Sequence, residues 1–239
     1  MEKKNSPSTV SRRARPAKAP LSREIIVQTA LDVLAQGGLE GLSMRKVAAA
    51  LDTGAASLYV YVANLSELHG QMFDAAVGEV SLAAPANETW REKLKRVLIS
   101  YLDVLMARPG MAQLAQATIP FGQNTLRLVE YMLGLLREGG IEQERAAWGF
   151  DLLTLYVTAI AAERGFREAR SEVLTHVKAT LRNISADEFP HIHATRHAMT
   201  SGEFARTPWA IEVMIDGLIH CTFPPLDTLP GQPAEKGRS

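Results

Sequence analysis

Apolar residues recur at helical spacing along nearly the whole chain. Ser22 is a good N-cap, and Ile26, Ala30, Val33 and Leu34 follow it on one face of a helix that Gly37 and Gly38 are expected to stop. Ser43 caps a second, shorter helix with Met44, Val47, Ala48 and Leu51 inside. Asp52, Thr53 and Gly54 form a tight polar turn. A third short helix then places Leu58 and Val62 inward, ends at Asn64, and gives way to a helix that Ser66 is expected to cap. Trp90, Leu94, Val97, Leu98, Tyr101, Leu102 and Leu105 make one stripe, ended at Pro109-Gly110; Leu126, Val129, Met132, Leu133 and Leu136 make another, ended at Gly139-Gly140. Between Glu142 and Phe166 the chain is apolar nearly all round, which predicts a helix buried on every side. Val173, Leu174, Val177 and Leu181 mark one more helix. Thr207 as N-cap and Pro208 at the first helical position predict a last one, carrying Ile211, Met214, Ile215, Leu218 and Ile219 and stopped by Pro224-Pro225. No strand-like alternation of useful length and no internal repeat interrupts this pattern, so the fold class is all-α.

Composition narrows the setting. The 239 residues are 46% apolar, enough for a real core. No apolar run approaches the roughly 20 residues of a membrane span. The charged, Pro- and Ser-containing start has no apolar segment behind it, so no secretory signal is expected. The one cysteine, Cys221, fits a reducing cytoplasm. The formal net charge is zero but unevenly spread: Met1 to His69 carries nine Lys/Arg against six Asp/Glu, a net of +3, and the remainder carries −3. Basic charge at one end permits a nucleic-acid partner there without requiring it. Residues 1–20 read as a flexible basic arm, 21–68 as a helical head, 69–223 as a larger helical body and 224–239 as a flexible tail.

Three helices in about 40 residues, the second and third joined by a short turn with glycine, form the helix-turn-helix pattern. The third helix must bury one side and offer the other to the major groove. At about 100° per residue from Leu58, its outermost positions are Ala56 and Val60, flanked by Ser57 and Tyr59. Small side chains let a helix sit deep in the groove, hydroxyls bond base edges or phosphates, and apolar groups touch thymine methyls. Spacing alone leaves open an ordinary three-helix core with no DNA partner.

The stretch TALDVLAQGGLEGLSMRKVAAALDTGAASLYVYVANLSELHGQMF resembles the DNA-binding head of TetR-family regulators. Its Gly-Leu-Ser-Met-Arg-Lys-Val-Ala, Gly-x-x-x-Leu-Tyr-x-Tyr-Val and Asn-x-Ser-Glu-Leu segments stand at the family's spacings. More loosely, the Arg-Pro-Gly turn at 108–110, the Asn-x-Leu-Arg-Leu run at 124–128 and the Gly-Gly-Ile connection at 139–141 resemble the body of the tetracycline-repressor subgroup. The resemblance implies an N-terminal helix-turn-helix head on a larger regulatory and dimerisation domain. It implies that Ser43, Arg45, Ala55, Ala56, Ser57, Tyr59, Val60 and Tyr61 form the DNA-binding face, with Ser43 also capping the second helix and Tyr61 set against phosphate. Leu65 stands where the family usually has a phosphate-binding lysine, which implies one phosphate contact fewer.

The resemblance further implies a homodimer on palindromic double-stranded DNA, paired through a four-helix bundle of two helices from each chain, here roughly 145–166 and 208–221. It implies a small-molecule effector held among the middle helices, mostly by apolar contacts. Trp90, Met106, Met111, Phe121, Met132, Trp148, Phe150 and Tyr156 are the candidate lining residues, although Met and aromatic residues at such spacing often only pack. The polar and histidine positions that hold tetracycline and magnesium have no match, so tetracycline is not expected. His191, His193 and His197 form a His-x-His-x3-His cluster without a well-placed supporting carboxylate, and no metal is expected there. No catalytic motif or cofactor site is present, so the expected function is a ligand-released repressor and not an enzyme. Two other readings stand beside it: a DNA-binding protein that senses no ligand, and a helical small-molecule-binding protein without a DNA role.

Overall fold

The computed structural model describes residues 20–224 apart from Arg170. The arm and tail expected at the two ends lie, but for Pro20 and Pro224, outside the described residues. Among these the chain forms eleven helices and no strand: α1 (Arg23–Gly41), α2 (Met44–Ala50), α3 (Ala55–Leu58), α4 (Leu65–Val77), α5 (Trp90–Met106), α6 (Met111–Gln116), α7 (Gln123–Glu138), α8 (Gln143–Ala169), α9 (Ser171–Arg182), α10 (Pro190–Thr200) and α11 (Glu203–His220).

The first three helices enclose a small core of Ile26, Ala30, Leu34, Val47, Leu58 and Val62, with Leu68 of α4 closing it. Ser22 and Ser43 cap α1 and α2 through their side chains, as their positions predict. Gly38 breaks α1 with a left-handed φ of 64°, but one more turn follows before Leu42. The cap of α4 is Asn64, not Ser66. Its side-chain oxygen accepts from the Glu67 N–H at 2.8 Å while the Glu67 carboxylate accepts from the Ala63 N–H at 2.6 Å. This reciprocal pair satisfies two amide donors at the helix start and gives the Asn-x-Ser-Glu motif its physical meaning.

α4 crosses the expected head–body boundary at residue 68 without a break. It packs on α1 at one end and on α5, α6 and α7 at the other. α6 also rests on α1, and there Gly110 has φ 84° with Leu34 so close that an added Cβ would lie 3.0 Å from Leu34 Cδ1. Arg108 straps this junction by a bidentate pair to Glu79, at 2.7 and 3.0 Å.

The body is built round α5 and α8, which pack on each other and on α7. A Thr89–Glu92 capping box starts α5. Along α7 the buried line is Thr125, Leu128, Met132, Leu135 and Leu136, whereas Leu126 is exposed. The expected stripe was therefore turned by one position. The cause is polar: Asp74 draws Thr125 inward, as described below. α11 crosses α8 closely where Gly149 meets Leu218, and ion pairs from Arg91 and Lys95 of α5 to Glu212 tie its outer side down.

Two further expectations are corrected. α11 begins at Glu203 with Gly202 as N-cap, so Pro208 lies inside the helix and Thr207 is no cap. Thr207 is instead buried and accepts a hydrogen bond from Arg164 at 2.8 Å. α8 is not buried on every side of the protomer. Trp148, Leu152 and Leu155 on α8 are 46%, 45% and 63% exposed, and Trp209 and Val213 on α11 are 67% and 50% exposed. Apolar residues on all sides of a helix thus serve two separate packings, one within the chain and one left open.

Candidate DNA-reading face and ligand cavity

α3 is only four residues long, and hydrogen bonds from Tyr61 N–H and Val62 N–H to the Leu58 carbonyl prolong its turn. Leu58 and Val62 are buried and anchor it. Ala56, Tyr59 and Val60 are exposed, while Ala55, Ser57 and Tyr61 are half-buried at the flanks. This is the outward face expected from the spacing. Arg45 is exposed on α2, as is its neighbour Lys46. The Ser43 oxygen accepts from the Lys46 N–H at 3.3 Å, which leaves its O–H able to donate to a phosphate. Sequence reasoning passed over Arg23, whose Nη2 donates to the Tyr61 carbonyl at 3.2 Å and ties the start of α1 to the end of the reading turn. Nothing in the spacing marked that contact. Leu65 is half-buried and packs on the core. The side chain at that position turns to packing, where a lysine would keep its charge in water.

A cavity of roughly 500 Å3 opens between α4, α5, α7 and α8, the end of α6, where Ala115 and Gln116 line it, and the α6–α7 link. Phe73 and Val77 of α4, Leu128 and Val129 of α7, and Phe150 and Leu155 of α8 give it apolar walls. Tyr101, Gln116, Thr125, Asp151, Thr154 and Thr158 add polar groups. Its size and mixed lining suit a small organic ligand. The Tyr101 hydroxyl and Thr158 Oγ1 lie 3.0 Å apart in a buried pair, and burial pushes the Tyr101 pKa up.

Of the eight expected lining residues, Phe150 is at the cavity. Met111 and Met132 are fully buried core, and Trp90 packs under Gly139, where an added Cβ would lie 2.5 Å from its ring. Met106 is 40% exposed, with its sulfur near Arg164, and Phe121 is 77% exposed. Trp148 meets Phe223 edge to face at 4.7 Å, and Tyr156 lines a separate hollow beside α9 and α11. The other lining residues include three threonines, Thr125, Thr154 and Thr158. Phe150, Thr154 and Thr158 stand at i, i+4 and i+8 on α8, and two hydroxyls on an otherwise apolar face were the readable signal.

Asp74 joins cavity and head. It sits on α4, and its Oδ1 accepts from the Thr125 N–H and hydroxyl while its backbone carbonyl accepts from the Asn124 side-chain amide at 3.1 Å. α7 has no cap of its own, because its N-cap residue is Gly122. A side chain there would collide with the Asp74 carboxylate, since a Cβ would lie 2.1 Å from its Cγ. The start of α7 is therefore capped from α4.

His191, His193 and His197 lie on α10, and among the described residues no group of three or more His, Cys, Asp or Glu side chains is placed to hold a metal. No described helix is long and apolar enough to cross a membrane.

The comparisons agree with this layout. Residues 26–64 match the family model for bacterial regulatory proteins of the tetR family, and residues 83–221 match that for the tetracyclin repressor-like C-terminal domain. An HTH-type transcriptional regulator of Saccharopolyspora erythraea is 29% identical over 168 residues, covering 68% of this chain and 71% of its own. The HTH-type transcriptional repressor DrrR1 of Streptomyces coeruleorubidus is 29% identical over 158 residues, covering 64% of this chain and 58% of its own. Among solved structures, ligand-free ActR of Streptomyces coelicolor is 36% identical, with a TM-score of 0.78 over 85% of this chain and 97% of ActR. ActR has also been solved with actinorhodin and with (S)-DNPA. Head, body and the helix joining them thus have counterparts in regulators of one kind, and the chain belongs to the TetR family of DNA-binding transcriptional regulators.

Proposed function

We propose that the protein is a homodimeric repressor that leaves a palindromic operator when a small, largely apolar aromatic molecule enters the cavity. One observation carries this reading: α4, which follows the reading turn directly, also supplies Phe73 and Val77 to the cavity wall. A ligand that repositions that wall acts on the helix that carries the head, and it releases DNA to the extent that it prefers the non-binding arrangement. Support for a small-molecule effector comes from ActR, solved with actinorhodin, and support for repression comes from the repressor DrrR1. The open apolar face of Trp148, Leu152, Leu155, Trp209 and Val213 is the surface for a second copy, which sets two heads on two half-sites. Ala56, Ser57, Tyr59 and Val60 meet the bases, while Ser43, Arg45 and Tyr61 meet the backbone.

The test is selection of bound duplexes from a random DNA pool, with the wild type beside Tyr59→Ala. Enrichment of a palindrome that the variant holds more weakly is expected. No enriched sequence at low salt overturns the DNA role, and an enriched operator that no aromatic compound releases overturns the ligand role.

A further inference from the structure

The cavity wall contains a single formally charged side chain, the carboxylate of Asp151 on α8, and no lysine, arginine or histidine. Asp151 makes no ion pair or side-chain hydrogen bond with a described residue. It is an exposed residue of the wall, standing between Phe150 and Thr154, two other lining residues of α8. The one feature of the wall that would otherwise welcome an anion is the start of α7, where unpaired N–H groups and the positive end of the helix dipole meet. That position is already taken. Asp74 bonds the Thr125 N–H at 2.8 Å and its hydroxyl at 2.9 Å, and it brings a second negative charge to the same side. The remaining polar groups, Tyr101, Gln116, Thr154 and Thr158, are neutral.

A carboxylate or sulfonate entering this cavity would lose hydration and find only neutral hydroxyl and amide donors beside a like charge, whereas a protonated amine would find an oppositely charged partner. Resting on the reading of the cavity as the effector site, we propose that this site selects its ligand by charge: it takes an aromatic molecule bearing a protonated amine, held against Asp151, and refuses the corresponding carboxylic acid.

Three probes with one ring system test this on the intact dimer without DNA: 1-naphthylmethylamine, 1-naphthalenemethanol and 1-naphthoate, each titrated by displacement of the neutral dye N-phenyl-1-naphthylamine. The expected order of affinity is amine, alcohol, carboxylate. Asp151→Asn should weaken the amine roughly three- to tenfold, the range for a partly exposed charged pair, and leave the alcohol unchanged. Leu128→Trp and, separately, Ala115→Phe fill the cavity and should block all three probes. If the fillers block binding but the amine is no tighter than the carboxylate, or Asp151→Asn leaves their ratio unchanged, the charge inference is wrong and the cavity reading stands. If dye and probes fail to bind, or bind undiminished to both filled variants, the cavity reading falls and the inference falls with it.

Discussion

Asp74 Oδ1 accepts hydrogen bonds from both the backbone N–H and the hydroxyl of Thr125, at 2.8 and 2.9 Å, across 51 positions of sequence. A residue on the helix leaving the head thereby supplies the cap that the cavity-side helix lacks. Asp74→Ala should destabilise the protein by about 1–2 kcal/mol, the usual worth of a lost cap. It should also weaken the coupling between cavity and operator. Thermal unfolding checks the first effect. The second is checked by the ratio of operator affinities with and without a releasing ligand, which should move toward one. A variant as stable and as responsive as wild type would refute the role.

Gly110 meets two demands that no other residue meets well: a left-handed φ of 84° and contact with Leu34. Gly110→Ala should cost about 1–3 kcal/mol and loosen α6 from α1. Chemical denaturation gives the cost, and an unchanged midpoint would show that the junction yields without penalty.

Leu65 occupies the first position of α4 and packs on the core. Leu65→Lys should add a phosphate contact, steepening the slope of log affinity against log salt by about one unit. Fluorescence anisotropy with the selected operator between low and moderate salt measures this, and an unchanged slope would mean that the side chain cannot reach DNA.

His69 lies on α4 with its Nε2 buried and without a hydrogen-bond partner, and burial lowers its pKa below 6.5. The unfolded chain then takes up the proton more readily than the folded one. Stability from this site is full above pH 6.5 and falls as the pH drops through the unfolded value toward the folded one. His69→Gln should remove that part of the acid sensitivity. Unfolding midpoints between pH 7.5 and 5 test it, and parallel curves for the two proteins would exclude His69 as the cause.

The exposed stripe of Leu155 and Trp209 should be the most sensitive part of the surface. Leu155→Glu together with Trp209→Glu is expected to give a monomer in sedimentation at micromolar concentration, with operator affinity lower by more than tenfold because one head loses its partner. A dimer that persists would place the contact elsewhere.

The head was the most legible part of the chain, because its constraints are local. Ser22 and Ser43 each cap the helix that follows, and Leu58 and Val62 fix which side of the reading turn faces out. The body was less so, because its determinants are far apart in sequence. Leu126 looked like core until Asp74, on another helix, turned Thr125 inward. Trp148 lines a hollow beside Leu218 and Phe223 rather than the cavity of α4, α5, α7 and α8, and an aromatic at helical spacing reads the same in sequence whether it faces a cavity, a core or another molecule. Pro208 marked a helix start in the sequence, yet α11 begins five residues earlier at Glu203. The threonines of α8, Thr154 and Thr158, stand among apolar neighbours and are the sign of the cavity that a sequence can show.

α4 has 13 residues, so its axis runs about 20 Å at 1.5 Å per residue. Held near Asp74 and carrying the head at Leu65, it would act, on the proposed function, as a lever whose short arm lies at the cavity wall. Over the nine residues, about 14 Å, from Asp74 to Leu65, a tilt of about 5° would sweep the head end through about 1.2 Å, and in a symmetric dimer the two heads would shift by about twice that, roughly 7% of the ~34 Å that separates successive major-groove entries. Mechanical gain of this kind would let a cavity no larger than its ligand command a span of DNA many times its width.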